Sequence, residues 1–310
     1  MATYTLPSNK ILATLSNLIV LMRTSNIHQG TGVNRLLDFC RSDDLTTGGV
    51  KAILTANEPS VSEYSKTSSV TKVSDPSVTE EFLETKGGKF IPLSINRYIT
   101  KQAMLNDYNM AEFSGYLIAT MDSAERNYMW NQLVTLIKGW TPTLTTQKVA
   151  ITLTDTSKLT DASAIEHANV LNAKEICKKL IKLTRAIEEP SAKYNDLGYT
   201  SNVASSDLTL IINDKYDVDL VCDTFATLFG SSAIENRFDF RKSIPIGEDT
   251  INDASKIGWL FQKDKVQYGY SYKVMTSFFD ASNLYENNFL HFDYYMGIVK
   301  GLVGVAITKA

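Results

Sequence analysis

The stretch AEFSGYLIATMDSAERNYMWNQLVTLIKGW, residues 111–140, carries the longest helical pattern in the chain. Its apolar residues recur every three or four positions, which is the period of one face of an α-helix. Gly139 and Pro142 mark its end. Roughly 27 helical residues would span about 40 Å, about twice the usual length in globular proteins. The pattern predicts a long core helix or a structural spine. Its two apolar stripes are Phe113, Leu117, Met121, Ala124 and Tyr128, and Met129, Leu133, Leu136 and Trp140.

Composition favours a globular chain and disfavours a dedicated nucleic-acid binder. The 310 residues are 44% hydrophobic and 21% charged, which is typical of folded domains. The net charge is −3 and the isoelectric point is about 5.7, whereas a dedicated nucleic-acid binder needs a basic surface to displace counterions from phosphates. We expect incidental contact with nucleic acid at most.

The cysteines and the N-terminal region favour synthesis in a reducing compartment. Cys40, Cys177 and Cys222 are far apart and odd in number, so neither a disulfide framework nor a zinc site is indicated. Cys177 and Cys222 lie within or beside apolar helical faces, where we expect buried thiols. Residues 11–22 are too short and too polar to span a bilayer, and their spacing predicts an amphipathic helix.

Other patterns predict an alternation of strands and helices. The run LTLIINDKYDVDLVCDTFATLFG, residues 208–230, is typical of a strand buried on both faces, a tight turn and a helix. Its predicted apolar helical face comprises Val218, Val221, Cys222, Phe225, Leu228 and Phe229. A further helix is predicted over 170–187. Further strands are predicted at 50–54, 90–95, 149–153, around 238–246, and at 266–275, 289–296 and 302–308.

A long polar segment over residues 56–88 indicates a surface that meets a partner. It is rich in Ser, Thr, Lys and Glu and holds few large apolar groups, so it cannot bury enough surface to fold by itself. Loops of this length in a compact domain are usually functional or disordered. The four valines Val61, Val70, Val73 and Val78 predict a loose hairpin that reaches away from the body.

No catalytic, cofactor-binding or metal-ligating constellation is apparent in the sequence. His28, His167 and His291 stand outside the known hydrolase and metalloprotease motifs, although long-range folding could still recruit one of them for hydrolysis. The acidic cluster in residues 214–223 lacks the glycine and the terminal glutamate of a calcium loop. Acids at the start of a helix are explained by the helix dipole.

Residues 268–295, YGYSYKVMTSFFDASNLYENNFLHFDYY, hold ten aromatic rings in 28 positions. Tyr268, Tyr270 and Tyr272 alternate with the period of a strand, which predicts one shared face. A stacking platform for single-stranded nucleic acid would be interleaved with Arg and Lys, which are scarce here. The segment therefore predicts two strands and their connection, with rings packed against the long helix and against adjoining subunits.

Taken in order, these elements resemble the major capsid proteins of tailed bacteriophages, the Hong Kong 97-type family shared with encapsulins. The resemblance runs from about residue 48 to the end. It rests on KFIPLSINRYITKQAMLNDYNMAEFSGYLIATMDSAERNYMWNQL (89–133), on the 208–230 run, and on VQYGYSYKVMTSFFDASNLYENNFLHFDYYMGIVKGLVGVAIT (266–308) with its closing GLVGVAI.

The resemblance implies an α+β fold of the Hong Kong 97 type with a defined order of parts. It implies an N-terminal arm over 1–47 and an extended-loop hairpin over 48–95. A peripheral domain with the spine helix would follow over 96–155, then an axial domain over 156–262. Long strands over 263–310 would return to the peripheral domain.

The resemblance also implies a virion structural protein that self-assembles into an icosahedral head around double-stranded DNA. The expected partners are copies of itself in hexamers and pentamers, scaffolding and portal proteins, and DNA by incidental contact, with no membrane, no cofactor and no enzymatic role. The chain would be made in the host cytoplasm and end in the virion. The alternatives are another phage head or tail component, a hydrolase using one of the histidines, and an adhesive or ligand-binding module. The expected inter-subunit residues are Val61, Tyr64, Val70, Val73, Lys86, Lys89, Arg97 and Tyr98.

Overall fold

The computed structural model describes residues 34–46, 48–59, 61, 77–96, 107–220, 243–253 and 255–310. The helix predicted over 11–22, residues 62–76 of the polar segment, and residues 221–242 lie outside this set. The described helices are α1 (Arg35–Cys40), α2 (Asp107–Gly139), α3 (Ala162–Glu188), α4 (Asp214–Asp219) and α5 (Glu248–Ile251). The described strands are β1 (Lys51–Ala56), β2 (Val78–Leu83), β3 (Thr85–Asn96), β4 (Lys148–Ile151), β5 (Leu208–Asn213), β6 (Ile244–Ile246), β7 (Lys256–Gln262), β8 (Val266–Asp280), β9 (Tyr285–Ile298) and β10 (Gly304–Lys309).

Helix α2 is the predicted spine, and it ends at Gly139 as the sequence indicated. Its 33 residues exceed the predicted length because it begins at Asp107, six positions before the first apolar residue of the pattern. At 1.5 Å per residue it is about 50 Å long. Met129, Leu133 and Ile137 are fully buried at spacings of four, so one face of its C-terminal half lies in the core.

A five-stranded mixed sheet forms the centre of the subunit, in the order β4-β10-β7-β5-β6. LTLIIN forms β5 and is buried along almost its whole length, as predicted. Central strand β7, KIGWLFQ, was not predicted, although its run from Ile257 to Phe261 is buried without interruption. A continuous apolar run without alternation is typical of a strand covered on both faces.

Helices α2 and α3 cover opposite faces of this sheet. Leu210, Leu260 and Val305 point into the cluster that contains the apolar face of α3. Their neighbours along the strands, such as Ile211 and Trp259, point into the cluster that contains the C-terminal half of α2. The alternation follows from the two-residue period of a strand, and it makes the sheet the middle layer of the subunit.

A three-stranded antiparallel sheet, β3-β9-β8, packs on α2, and a β-bulge in β8 corrects one prediction. The register shifts between Tyr270, which pairs with Tyr294, and Tyr272, which pairs with Asp293. Ser271 is the extra residue, and a bulge moves the following side chain to the other face. Tyr272 is therefore exposed and does not share the buried face of Tyr268 and Tyr270, contrary to the predicted alternation.

Strands β1 and β2 form a two-stranded antiparallel ribbon whose ends pair Lys51 with Leu83 and Ala56 with Val78. After the ribbon the chain continues into β3, which pairs with β9 in the three-stranded sheet. The central sheet takes strands from three of the predicted segments, 96–155, 156–262 and 263–310. Sheet membership does not follow those boundaries, and the division into domains stays a prediction.

Helix α4 places its residues differently from the sequence pattern. Tyr216 and Leu220 are buried against α3 and the central sheet, whereas Val218, predicted on the apolar face, is exposed. The buried pair is spaced by four residues, so Val218 lies on the opposite side of this short helix. The remaining residues of the predicted apolar face lie outside the described part of the chain.

Candidate inter-subunit surfaces

The two described histidines lie in different surroundings. His167 is exposed on α3, and His291 lies beside Phe90 and Phe289 with ring centroids 6.0 and 6.1 Å away. Within the described residues, neither has a hydrogen bond to a hydroxyl, thiol or carboxylate, and no group of three potential metal ligands occurs. No helix in that same part is both long and apolar enough to cross a membrane. His28 lies outside the described set.

The inner end of the β8–β9 hairpin forms an aromatic cluster against α2. The Tyr128 ring on α2 meets Phe292 and Tyr294 edge to face, with centroids 5.9 and 6.0 Å apart. Tyr270 meets Phe292 in the same way at 6.4 Å. Edge-to-face pairs add about 0.5–1.5 kcal/mol each beyond the burial of their area. These rings bear out the predicted packing of the aromatic segment against the spine helix.

A carboxylate buried in this cluster joins α2 to β8. Glu125, with 2% of its surface exposed, accepts hydrogen bonds from the Tyr270 hydroxyl and, at 2.5 Å, from Lys273 Nζ. Burial, reinforced by the hydrogen bond to Glu125, raises the pKa of Tyr270. Burial also raises the pKa of Tyr268 to about 12. The guanidinium of Arg41 lies over both tyrosine rings, so the segment after α1 is fixed to the same place.

A buried ion pair lies where the chain passes from β7 of the five-stranded sheet to β8 of the three-stranded sheet. Lys265 Nζ lies 3.0 Å from Asp196 Oδ2 and donates to the carbonyl oxygens of Val299 at 3.0 Å and Leu302 at 2.7 Å. Its charge also lies 5.2 Å from the Trp140 ring at the end of α2. Burial lowers the pKa of Lys265, and Asp196 opposes that shift. With three acceptors for its three protons, the ammonium is fully satisfied.

The inner face of the β1–β2 ribbon is fastened to the body of the subunit. Leu83 lies so close to Gly297 that a Cβ there would stand 2.3 Å from Leu83 Cδ2. The Thr79 hydroxyl lies 2.6 Å from the hydroxyl of Tyr199, and Glu81 Oε2 accepts from the backbone N–H of Lys300 at 2.9 Å. Apolar contact and hydrogen bonds together hold the inner face of the ribbon against the body of the subunit.

The outer face of the ribbon is apolar and exposed. Leu54 and Phe82 are 69% and 58% exposed, and Val78 lies on the same face. Ala52 and Ala56 complete this face, where Glu80 is the charged residue. We call Ala52, Leu54, Ala56, Val78 and Phe82 the ribbon surface. Apolar side chains contiguous at this exposure are typical of an interaction site.

A second exposed apolar surface lies on the outer end of the three-stranded sheet. The register places Phe90, Phe289 and Phe278 on one face, and their order across the strands makes them near neighbours. Phe278 is 61% exposed, and the Phe90 and Phe289 ring centroids are 6.4 Å apart. Pro92 and Tyr285 lie on the same face. These five residues are the distal aromatic surface.

The inter-subunit residues expected from the sequence are described in part. Val61 is fully exposed, and Lys86 and Lys89 are exposed on β3 at either side of a bulge. Tyr64, Val70, Val73, Arg97 and Tyr98 lie outside the described residues. Leu54, Phe82 and Phe90 are exposed apolar residues that the expected set did not include, whereas Phe278 belongs to the aromatic segment predicted to contact adjoining subunits. Neither KAILTA (51–56) nor VTEEFL (78–83) alternates apolar and polar residues, so no periodic signal in the sequence indicated the first two.

Comparisons with solved structures show the fold. A capsid structure of Staphylococcus phage Andhra superposes with a TM-score of 0.68 at 12% identity, covering 89% of this chain and 84% of that one. The capsid of cyanophage P-SCSP1u gives 0.60 at 11% identity, covering 92% and 94%. The mature capsid of bacteriophage PhiM1 gives 0.54 at 7% identity, covering 91% and 89%. The fold is of the Hong Kong 97 type, as the resemblance implied.

Sequence comparison identifies the family. No curated protein matches the chain. A family model described as "Phi29-like phage major capsid protein" matches residues 8–306. Because that match spans nearly all of the 310 residues, the chain belongs to the Phi29-like phage major capsid protein family and is a structural protein of the phage head shell.

Proposed function

We propose that the chain closes an icosahedral shell around double-stranded DNA as hexamers and pentamers, using the ribbon surface and the distal aromatic surface as contacts between neighbours. Both surfaces stand on β-strands, so their side chains are held in place before assembly. Aromatic residues are enriched in the cores of protein interfaces, where charged residues are depleted. A contact between two different surfaces of identical subunits is head-to-tail, which generates rings when the rotation closes.

The observation that carries this proposal is the asymmetry of the ribbon. Its inner face is held by Leu83, Thr79 and Glu81, whereas Leu54 and Phe82 on the other face are more than half exposed. Exposed apolar side chains on the outer face of the ribbon contribute little to the folding of their own subunit. Full burial in a neighbouring subunit would stabilise the contact by up to about 1.5–3 kcal/mol for each of these side chains.

The experiment replaces both residues by serine, Leu54→Ser with Phe82→Ser, in the full chain. We expect a folded subunit with a far-UV circular dichroism spectrum like that of the parent protein, and no closed shells by negative-stain microscopy. The matched control is Leu171→Ser with Val218→Ser, which removes two exposed apolar side chains from α3 and α4.

The outcomes separate a specific surface from a general loss of hydrophobicity. Normal shells from the Leu54/Phe82 variant would contradict the role of the ribbon surface. Shell loss in both variants would show that assembly depends on exposed apolar area in general. Absence of shells from the parent protein, tested with and without a co-expressed scaffold, would contradict self-assembly itself.

The proposal also covers other partners, the place of synthesis and the absence of an enzymatic role. We propose that scaffolding and portal proteins join the assembling shell, that the chain is made in the host cytoplasm, and that its role is structural and not enzymatic. The family membership supports these statements, together with the surroundings of His167 and His291. A hydrolase activity abolished by replacing one histidine would contradict the last of them.

A further inference from the structure

Helix α3 carries a concentration of positive charge that the capsid role does not by itself explain. The twelve residues KEICKKLIKLTR, 174–185, contain five basic side chains and one acidic side chain, in a chain whose net charge is −3. The rest of the chain, taken as a whole, therefore carries a net negative charge. Such a local reversal of sign suggests a partner of opposite charge.

The basic residues form a stripe that points away from the body of the subunit. Lys174, Lys178, Lys182 and Arg185 follow one another at spacings of four, four and three, so they share one helical face. Leu180, spaced to lie on the opposite face, is buried against the central sheet. Lys179 flanks the stripe. We call these five residues the basic stripe.

Most of this charge is not neutralised by the described residues of the subunit. Lys178 Nζ lies 2.7 Å from Glu175 Oε1, and this lysine, followed by Lys182, lowers the pKa of Glu175. Among the described residues, Lys174, Lys179, Lys182 and Arg185 have no ion pair. Like charges at this helical spacing destabilise a helix by about 0.2–0.5 kcal/mol per pair. The stripe therefore destabilises the folded subunit, and a bound polyanion would offset this repulsion.

The composition of the stripe fits phosphates better than it fits a protein surface. Lysine is depleted in protein–protein interfaces, where aromatic residues are enriched. The exposed face around the stripe has Leu171 as its large apolar residue, in contrast to the ribbon and distal aromatic surfaces. Lysine and arginine on one side of a helix are the typical electrostatic footprint of a nucleic-acid contact.

We infer that the basic stripe of α3 binds the phosphate backbone of the enclosed double-stranded DNA, without reading its sequence. From Lys174 to Arg185 the stripe is about 17 Å long, which matches about five phosphates of one DNA strand. The inference rests on the proposed shell, because it requires α3 to line the lumen. The central sheet then separates this inner side from α2.

The test measures binding of the full-length, unassembled protein to a duplex of about 30 base pairs by fluorescence anisotropy over a range of KCl concentrations. The variant replaces Lys174, Lys178, Lys182 and Arg185 by glutamine. We expect its affinity at low salt to fall by more than about tenfold. The magnitude of the slope of log K against log salt should fall by about 3.6, because four charges are removed and each phosphate neutralised contributes about 0.9. Circular dichroism verifies that α3 still folds.

The matched control removes the same charge elsewhere, by replacing Lys148, Lys158, Lys193 and Lys263 with glutamine; all four are exposed. Equal losses in both variants would overturn the inference, since binding would then follow net charge alone. Unchanged DNA binding with failed shell formation in the stripe variant would also overturn it and would assign the stripe to a protein partner. If the parent protein forms no shells, the proposed function fails, while the solution measurement still decides whether the stripe binds phosphate.

Discussion

The two ends of the β8–β9 hairpin have similar composition and opposite surroundings. At the inner end, Tyr270, Phe292 and Tyr294 pack on Tyr128 of the spine helix and enclose the buried carboxylate of Glu125. At the outer end, Phe278 and other large side chains stand in solvent on the same pair of strands. One β-hairpin therefore supplies both the core of the subunit and an exposed apolar surface.

What separates the two ends is the cover that each receives within the subunit. The inner strand segments lie over the C-terminal half of α2 and beside the residues that follow α1. At the outer end Asn288 and Leu290 are buried as well, whereas the register places Phe278 on the opposite face of the sheet from Phe292 and Tyr294. Aromatic residues at the inner end stabilise the fold, whereas the same residue types at the outer end are available to a neighbour. Three substitutions test this division.

The largest effect on stability is expected for Phe292→Ala. Phe292 is 2% exposed and touches Tyr128, Tyr270 and Tyr294, so its removal leaves a cavity among rings that cannot collapse freely. Loss of a buried phenylalanine costs about 3–5 kcal/mol of unfolding free energy. Urea unfolding of the unassembled protein measures it. A cost below about 1 kcal/mol would show that the inner cluster is not a folding core.

The sequence predicted the elements better than the surfaces. The spine helix, the buried strand LTLIIN and the late long strands followed from apolar periodicity, because that periodicity is imposed by burial within one subunit. Strand β7 was missed although its apolar run was visible, because a short continuous run does not by itself distinguish strand from helix.

The exposed surfaces were harder to predict because they depend on register and not on composition. The bulge at Ser271 places Tyr270 and Tyr272 on opposite faces, and nothing in their alternation shows this. Leu54 and Phe82 share a face because Ala52 pairs with Phe82. That face is turned outward because the other face contacts Gly297 and Tyr199. Such contacts join residues more than a hundred positions apart, beyond the reach of local patterns.

An intermediate effect is expected for Tyr268→Phe, and it depends on pH. The pKa of Tyr268 is about 12 in the folded protein against an ordinary value of 10.0, because burial disfavours the charged phenolate. A raised pKa stabilises the fold fully below pH 10, and this contribution is lost as the pH rises from about 10 towards 12. The loss is at most about 2–3 kcal/mol.

Phenylalanine at position 268 cannot ionise, so the stability of the variant relative to the parent protein should increase between about pH 10 and pH 12. Urea unfolding at a series of alkaline pH values measures the difference. Tyr272→Phe is the control, since this ring is exposed beyond the bulge. An identical pH response in the two variants would show that burial of Tyr268 does not govern the alkaline loss.

The smallest effect on stability, with the largest effect on assembly, is expected for Phe278→Ser. Its ring is 61% exposed and lies on the distal aromatic surface, so the unfolding free energy should change by less than about 0.5 kcal/mol. Shell yield, measured by sedimentation and negative-stain microscopy, should fall because each subunit would bury a serine where a neighbour needs an aromatic side chain. Val218→Ser, equally remote from the core and exposed on α4, should leave the shell yield unchanged.

A Phe278→Ser protein that unfolds as easily as Phe292→Ala would place both ends of the hairpin in the folding core. A Phe278→Ser protein with normal stability and a normal shell yield would exclude the distal aromatic surface from the contacts that close the shell.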